Sequence, residues 1–234
     1  MPWFDLPLDQ LRDYRTDTAE PPELDRWWQL RLKEARAAAR PPALTRYEAD
    51  MYAPVEVYDT EFSGAGGDRI RAWYLRPAGA DGHTPVVVKF IGYGGGRGLP
   101  AEHALLPALG YALFVMDTRG QGGRSSTGAT GDYPGDPDAP YTEVPEFLAC
   151  NVELIPAALD TLRYVDCALL ARRITARCLL SVGLMDTICP PSTVFAAYNE
   201  ITVGKDISVH PFTGHAVPAI QVERQLRHLR DFLC

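Results

Sequence analysis

Two residues that could act as a catalytic acid and base each follow a run of apolar residues. Asp186 comes after the run 178–182, and His215 comes about thirty residues later, after the run 207–212. Both runs are predicted to be buried strands, and open α/β sheets place their chemistry at the carboxyl ends of such strands. A buried Asp can hold an imidazole in one tautomer, so that the ring takes a proton from a nucleophile. In this chain order, the two residues predict the second half of a Ser…Asp…His triad, although a strand-end Asp alone often only caps a helix.

The nucleophile of such a triad is not identified by motif. A Gly-x-Ser-x-Gly sequence, which places the Ser on a sharp strand-to-helix turn, occurs nowhere in the chain. The nearest match, at 123–127, contains Ser125 and Ser126 but lacks the closing Gly and a helix pattern after it. These two serines are weak candidates, and loop serines are the simpler interpretation. All five cysteines are interpreted as structural, including Cys189 on the loop of Asp186.

A glycine-rich stretch that begins with Gly92, Tyr93 and Gly94 follows the continuous apolar run 85–91. The run is typical of a central parallel strand. The stretch lacks the Lys-Ser/Thr of a phosphate-binding loop. Glycine lets the backbone approach a ligand closely, so the N–H groups here are candidates for an oxyanion hole. The alternative is a tight turn with no chemical role.

The elements that must position these residues can be predicted from the hydrophobic pattern. Alternation over 55–62 and 70–76 predicts a hairpin with one solvated face. The predicted core strands are 86–91, 111–116, 178–182 and 207–212. The predicted helices are 24–39, 103–109, one or two within 144–170, and 217–233. A further helix is predicted after Pro190 and Pro191, capped by Ser192 or Thr193.

The length of 234 residues predicts a single α/β domain, 1–234, with residues 1–50 as a helical extension. The helix 24–39 is interpreted as a lid or packing element, with an oligomer contact as the alternative. Hydrophobic residues make up 46% and charged residues 23%, which is typical of a globular protein. The net charge of −7 argues against a nucleic-acid partner.

Several functions are expected to be absent. No apolar stretch has the length of a membrane span, and the first residues lack the basic and apolar regions of a signal peptide. Five cysteines without regular spacing favour free thiols in a reducing compartment, so we expect a cytoplasmic protein. No His/Cys cluster has metal-ligand spacing, and neither a metal nor a cofactor is expected.

Four stretches of the chain resemble the acetyl xylan esterase / cephalosporin C deacetylase family, carbohydrate esterase family seven: residues 4–11, Gly92-Tyr93 with the glycines after it, Arg119-Gly120-Gln121, and residues 181–199. The resemblance implies an α/β-hydrolase fold, with a mostly parallel sheet flanked by helices. It also implies Ser-His-Asp acyl transfer on small acetylated sugars or cephalosporin C, a cytoplasmic location and assembly into hexamers.

The resemblance also assigns roles to individual residues. Asp186 and His215 match the acid and the base of the triad. Tyr93, between Gly92 and Gly94, matches the residue whose backbone amide helps to bind the oxyanion. The site-supporting motif is matched by three residues in a row: Arg119, Gly120 and Gln121.

The chain departs from the family between 117 and 178, where the family has its nucleophile elbow and this chain has only predicted loop and helix. We therefore expect a sheet shortened by about two central strands. Strands lie about 4.8 Å apart, so closing the gap would move Asp186 and His215 roughly 10 Å toward Tyr93. A gap left open would leave raw strand edges. The prediction is an ester hydrolase by descent whose serine is lost, with residual hydrolysis through Ser125 or a water as one possibility. The alternative is an inactive remnant or a non-catalytic subunit.

Overall fold

A computed structural model describes residues 5–92, 95–119 and 143–233. The helices are α1 (Leu8–Asp13), α2 (Leu24–Ala37), α3 (Leu105–Ala108), α4 (Glu143–Cys150), α5 (Ile155–Leu162), α6 (Cys167–Ala171), α7 (Pro191–Glu200) and α8 (Ala219–Leu233). The strands are β1 (Ala43–Arg46), β2 (Val55–Ser63), β3 (Arg69–Pro77), β4 (Val86–Lys89), β5 (Ala112–Met116), β6 (Cys178–Gly183) and β7 (Lys205–His210). None of the helices in these ranges is long and apolar enough to cross a membrane.

Five strands form one mixed sheet in the order β1-β2-β3-β5-β4. The predicted hairpin is confirmed, since β2 and β3 pair antiparallel with Tyr58 opposite Tyr74. β5 then pairs antiparallel with β3 and parallel with β4. The alternating pattern of the hairpin buries one face, and its core contains Val57, Leu75 and Val115, all fully buried.

The other two strands, β6 and β7, pair in parallel, with Ser181 opposite Ser208. Their core cluster contains Leu11, Val182, Leu184 and Phe195. The N-terminal segment belongs to this cluster because Leu11 on α1 is fully buried there. The side chain of Asn199 on α7 secures the segment, since its Nδ2 donates to the carbonyls of Leu11 and Tyr14 at 3.0 and 2.7 Å.

The chain groups into two units. One consists of Met1–Leu24 with Glu153–Cys234, and the other is Asp25–Val152. Thus β6, β7, Asp186 and His215 lie in the first unit, and the five-stranded sheet with the glycine-rich stretch lies in the second.

The predicted α/β fold class is confirmed, and so are the four core strands, which appear as β4, β5, β6 and β7. The expectation of a mostly parallel sheet is corrected to a mixed one. Among the described strands, β4–β5 and β6–β7 are the parallel pairs, and the sheet of β4 and β5 continues into the antiparallel hairpin. The expectation that the sheet is shortened by about two central strands stays a prediction.

The helical region 144–170 holds three helices, α4, α5 and α6, instead of the one or two predicted. Two local signals explain the breaks. Pro156 lies in the first turn of α5, where its missing N–H costs nothing. Asp166 caps α6, because its Oδ1 accepts from the amides of Ala168 and Leu169 at 2.7 and 3.4 Å.

Glu200, at the end of α7, is a buried carboxylate that joins the N-terminal segment to α6. It accepts hydrogen bonds from Arg172 Nε at 2.7 Å and from Arg15 Nη1 at 2.8 Å. The bond from Arg172 and then that from Arg15 lower the pKa of Glu200 below its ordinary value of 4.5. Because the unfolded chain binds this proton at a higher pH, the stability from Glu200 is present above pH 4.5 and is lost as the pH falls through the lowered pKa.

Glu200→Gln is therefore expected to lower the free energy of unfolding at pH 7 by about 1–2 kcal/mol. The two arginines donate to different oxygens of the carboxylate, so one bond loses its charge and the other loses its acceptor. The variant should also lose less stability than the wild type on acidification below pH 4.5. Urea unfolding at pH 7 and near pH 3.5 measures both effects. Glu34→Gln is the control, because the Glu34 side chain pairs with Arg31 at the exposed surface. Parallel stability curves for Glu200→Gln and the wild type across this range would contradict the assignment.

Candidate active site

Asp186 and His215 contact each other at the ends of β6 and β7. His215 Nδ1 lies 3.0 Å from Asp186 Oδ2 and 3.2 Å from Oδ1. The Asp186 side chain is 11% exposed, whereas the His215 side chain is 57% exposed. A carboxylate at Nδ1 fixes the ring so that Nδ1 carries the proton and Nε2 is left to accept one. The contact that the sequence predicted between these two residues is present, and its geometry is one that can orient a general base.

The loop of Asp186 is held in shape by its own carboxylate. Asp186 Oδ1 accepts from the backbone amides of Ile188 and Cys189, both at 2.9 Å, so the chain turns immediately after β6. These bonds leave Asp186 Oδ2 as the closer contact of His215. The orientation of the Asp186 carboxylate is therefore held by bonds within its own loop as well as by His215.

Helix α7 begins directly after this turn, but the predicted cap is wrong. Pro190 occupies the cap position and Ser192 and Thr193 lie inside the first turn, because Pro191 is already helical. The amide of Ser192 donates instead to Asp5 Oδ2 at 2.7 Å. The Asp5 carboxylate, from the other end of the chain, thus caps α7. Its negative charge also interacts favourably with the positive N-terminal end of the helix dipole.

The segments that follow β6 and β7 lie close to each other beside Gly183. Leu184 N donates to His210 O at 3.0 Å, and Met185 N donates to Thr213 O at 3.1 Å. A Cβ at position 183 would lie 2.3 Å from Thr213 O and 2.7 Å from Gly214 O. Only glycine leaves room for this approach, which places His215 beside Asp186.

Gly183→Ala is expected to push the 213–214 turn away from β6 and to destabilise the protein by about 1–3 kcal/mol, since backbone atoms must shift. The same displacement should lengthen the Asp186–His215 contact. Chemical denaturation measures the first effect, and the NMR shift of the His215 Nδ1 proton measures the second. Gly204→Ala is the matched control, because a Cβ there meets only Arg177 Cγ at an ordinary 3.9 Å. Equal stability of the two variants would contradict the role of Gly183.

A cavity of about 380 Å³ opens over the pair. Two residues with nucleophilic side chains line this cavity, Ser181 on β6 and Cys189. On the His215 side, the lining consists of His210, Ala216 and Val217. Neither Ser181 nor Cys189 was predicted as a nucleophile. Ser181 is part of a regular strand, where a motif search has no signal for it. The weak candidates Ser125 and Ser126 lie outside the described residues.

The predicted oxyanion residues are described only in part. Tyr93 and Gly94 lie outside the described residues, and so do Gly120 and Gln121. Among the described residues, a Cβ at Gly92 would meet no atom within 4 Å, so none of these neighbours requires glycine there. Arg119, predicted to support the site, is exposed and forms a 2.6 Å ion pair with Asp68 in the loop between β2 and β3.

Arg97, which sequence reasoning missed, anchors the far end of the glycine-rich stretch. Its amide donates to Asp117 Oδ1, and its Nη1 donates to Asp59 Oδ1, each at 2.7 Å. Its guanidinium lies 3.8 Å from the centre of the Trp73 ring, and Trp73 Nε1 donates to Gly98 O at 2.9 Å. Arg97 is 6% exposed and Asp117 fully buried, so this is a buried charge cluster. A charged residue in a glycine-rich turn was its only sequence signal.

An Asp and a His that contact each other after two neighbouring parallel strands of an α/β fold match the acid–base half of an α/β-hydrolase site. The family model described as acetyl xylan esterase matches residues 1–138 and 134–232. The chain belongs to the acetyl xylan esterase family.

Solved structures agree with this assignment. Acetyl xylan esterase 1 from a Thermoanaerobacterium species is 26% identical, with a TM-score of 0.86 over 96% of this chain and 98% of that one. An acetyl xylan esterase from a Paenibacillus species shares the fold at 23% identity, with a TM-score of 0.87 over 97% and 99% of the two chains. Among curated proteins, the acetyl esterase Axe7A of Xylanibacter ruminicola is 32% identical over 71 residues. That match covers 30% of this chain and 16% of the relative.

Proposed function

We propose that this chain is a carboxylic ester hydrolase acting on small acetyl esters, with Asp186 and His215 as its acid–base pair. The observation that carries the proposal is the 3.0 Å contact between His215 Nδ1 and Asp186 Oδ2 beside a cavity of about 380 Å³. Acetylated sugars related to xylan are the first substrates to consider, and cephalosporin C is the second. The cavity volume suits a small acyl ester at the lower end of the usual range of ligand pockets.

In this function, His215 Nε2 takes the proton of the attacking hydroxyl, thiol or water. Asp186 stabilises the imidazolium that forms. The attack on the acetyl carbonyl gives a tetrahedral oxyanion, and the proton on Nε2 then passes to the departing sugar oxygen. A covalent acetyl intermediate requires a side-chain nucleophile, and the candidates are Ser125, Ser126, Ser181 and Cys189.

A second candidate is a non-catalytic member of the family, either an inactive remnant or a subunit that joins full-length relatives. Two observations favour it. The sequence contains no Gly-x-Ser-x-Gly, and the family model matches in two segments that overlap at 134–138. This overlap lies within 117–178, the interval to which the resemblance assigns the family's nucleophile elbow. Loss of the nucleophile would leave a slow reaction, since binding and partial oxyanion stabilisation alone remain.

Acetate release by the purified protein tests the proposal. Acetylated xylo-oligosaccharides, cephalosporin C and p-nitrophenyl acetate are supplied in turn, and mass spectrometry after a fluorophosphonate probe identifies any activated serine. Saturable acetate release supports the hydrolase. No release, combined with substrate binding seen by saturation-transfer NMR, supports the non-catalytic member and overturns the hydrolase.

A further inference from the structure

We infer that His210 selects esters whose alcohol part carries a free hydroxyl group next to the acetyl ester. Its ring accepts a hydrogen bond from that hydroxyl in the cavity beside the Asp186–His215 pair. The inference rests on the proposed ester hydrolysis and names the substrates that this cavity takes. His210 is the last residue of β7, and it lines the same cavity of about 380 Å³ as His215.

The ring of His210 lies along one wall of the cavity because of its partner in the β6–β7 ladder. His210 lies opposite Gly183, and Ser181, two residues earlier on β6, also lines the cavity. Partner residues of a parallel pair project from the same face of the sheet, and Gly183 has no side chain to fill the space beside the ring. The backbone of His210 is fixed as well, since its carbonyl accepts from the amides of Leu184 and Thr213 at 3.0 and 3.3 Å.

Gln221 contacts one nitrogen of this ring. Its side chain lies in the first turn of α8 and is 1% exposed, and its Oε1 lies 3.4 Å from His210 Nε2. In the described part of the chain, the amide nitrogen Nε2 of Gln221 has no hydrogen-bond partner. An amide oxygen accepts, so this contact assigns the ring proton of His210 to Nε2 and leaves Nδ1 as an acceptor.

The two histidines of the cavity face different groups, and this difference separates their roles. The carboxylate of Asp186 faces His215 and stabilises a positive charge on that ring. The neutral amide of Gln221 faces His210, so a positive charge on this ring would gain no ion pair from it. His210 is therefore better suited to binding a neutral hydroxyl than to taking a proton from it.

The polar groups of the cavity specify the chemistry of the alcohol part. A free acceptor nitrogen on His210 requires a donor on the ligand, and the hydroxyl of Ser181 can both donate and accept. A hydroxyl group on the ligand meets both requirements, whereas p-nitrophenyl acetate has no donor. Partly acetylated sugars carry such hydroxyls on the carbons next to the ester. They therefore rank above cephalosporin C, in which no hydroxyl neighbours the acetyl ester.

Two substrates that differ by one hydroxyl test the inference on the wild-type protein. One is a methyl xyloside with a single acetyl ester and a free neighbouring hydroxyl, and the other lacks that hydroxyl. We expect KM to be about fivefold to tenfold higher for the deoxy substrate, with kcat unchanged, which is the effect of one neutral hydrogen bond. His210→Phe should raise KM for the hydroxylated substrate to the same level and leave p-nitrophenyl acetate unaffected. His210→Asn should restore part of the loss, since its amide oxygen can accept near the position of Nδ1.

A binding measurement separates this inference from the hydrolase proposal. The acetamide analogues of both sugars contain no ester, and NMR titration gives their Kd with the wild type and with His210→Phe. The control is His83→Phe, which replaces an exposed histidine that does not line the cavity. If no ester is hydrolysed, a weaker Kd of the hydroxylated analogue for His210→Phe than for the wild type and the control supports the inference although the hydrolase proposal fails.

Three results overturn the inference. The first is an equal KM for the two substrates in the wild type, which leaves the proposed hydrolysis standing. The second is an equal rise in KM for the sugar and for p-nitrophenyl acetate in His210→Phe, which assigns His210 a purely structural role. The third, where nothing is hydrolysed, is an equal Kd of the two analogues or no binding of either.

Discussion

Replacing His215 by alanine is expected to lower the turnover of p-nitrophenyl acetate by at least about a thousandfold, because the base that activates the nucleophile is removed. The imidazole is held by Asp186 at 3.0 Å, and its exposed Nε2 can reach a substrate in the cavity. Initial rates at saturating substrate measure kcat, and KM should change little, since the ring does not bind the acyl group.

His83→Ala is the control for this experiment. Free imidazole cleaves activated esters slowly, so a histidine on the protein surface contributes background hydrolysis. His83 is such an exposed histidine, in the turn between β3 and β4. The control variant should keep the wild-type rate. Asp186→Asn should lose activity together with His215→Ala, because the amide cannot hold the productive tautomer. Equal rates in the wild type and His215→Ala would instead place the chain with the non-catalytic members of its family.

Replacing Arg97 by methionine is expected to destabilise the protein by about 3–5 kcal/mol, because it removes a buried guanidinium whose Nε lies 3.8 Å from the Oδ2 atom of the buried Asp117. Asp117 is fully buried, and the guanidinium also bonds Asp59 and lies over Trp73. Methionine fills a similar volume, so the loss reports charge and hydrogen bonding more than packing. Urea unfolding followed by tryptophan fluorescence measures the effect, since Trp73 lies beside the substitution.

Arg76→Met is the matched control on the same sheet. Arg76 pairs with Glu56 at 2.6 Å, but both side chains are partly exposed, at 33% and 23%. Such a pair contributes about 0–1 kcal/mol. A loss for Arg97→Met no larger than that for Arg76→Met would show that the buried cluster does not stabilise the second unit.

The sequence by itself determined the Asp186–His215 pair and the elements around it. Each residue follows a continuous apolar run, and parallel strands bring their carboxyl ends to one edge, so two local patterns suffice to predict a contact. The β2–β3 hairpin was predictable for the same reason, because alternation over neighbouring stretches with a glycine-rich turn is a short-range signal.

The tertiary structure alone decided how the pair is held and where the sheet ends. Asp5 caps α7 from 187 positions away, and Arg97 reaches Asp117 across a strand crossover. Gly183 is required by backbone atoms of the 213–214 turn, which no local pattern describes. The apolar run of β4 predicted a strand buried between neighbours, yet pairing depends on which strands the rest of the chain supplies. The spacing of apolar residues predicts which face of a helix or strand is buried. Caps, close backbone approaches and open strand edges depend instead on contacts between segments that are distant in the sequence.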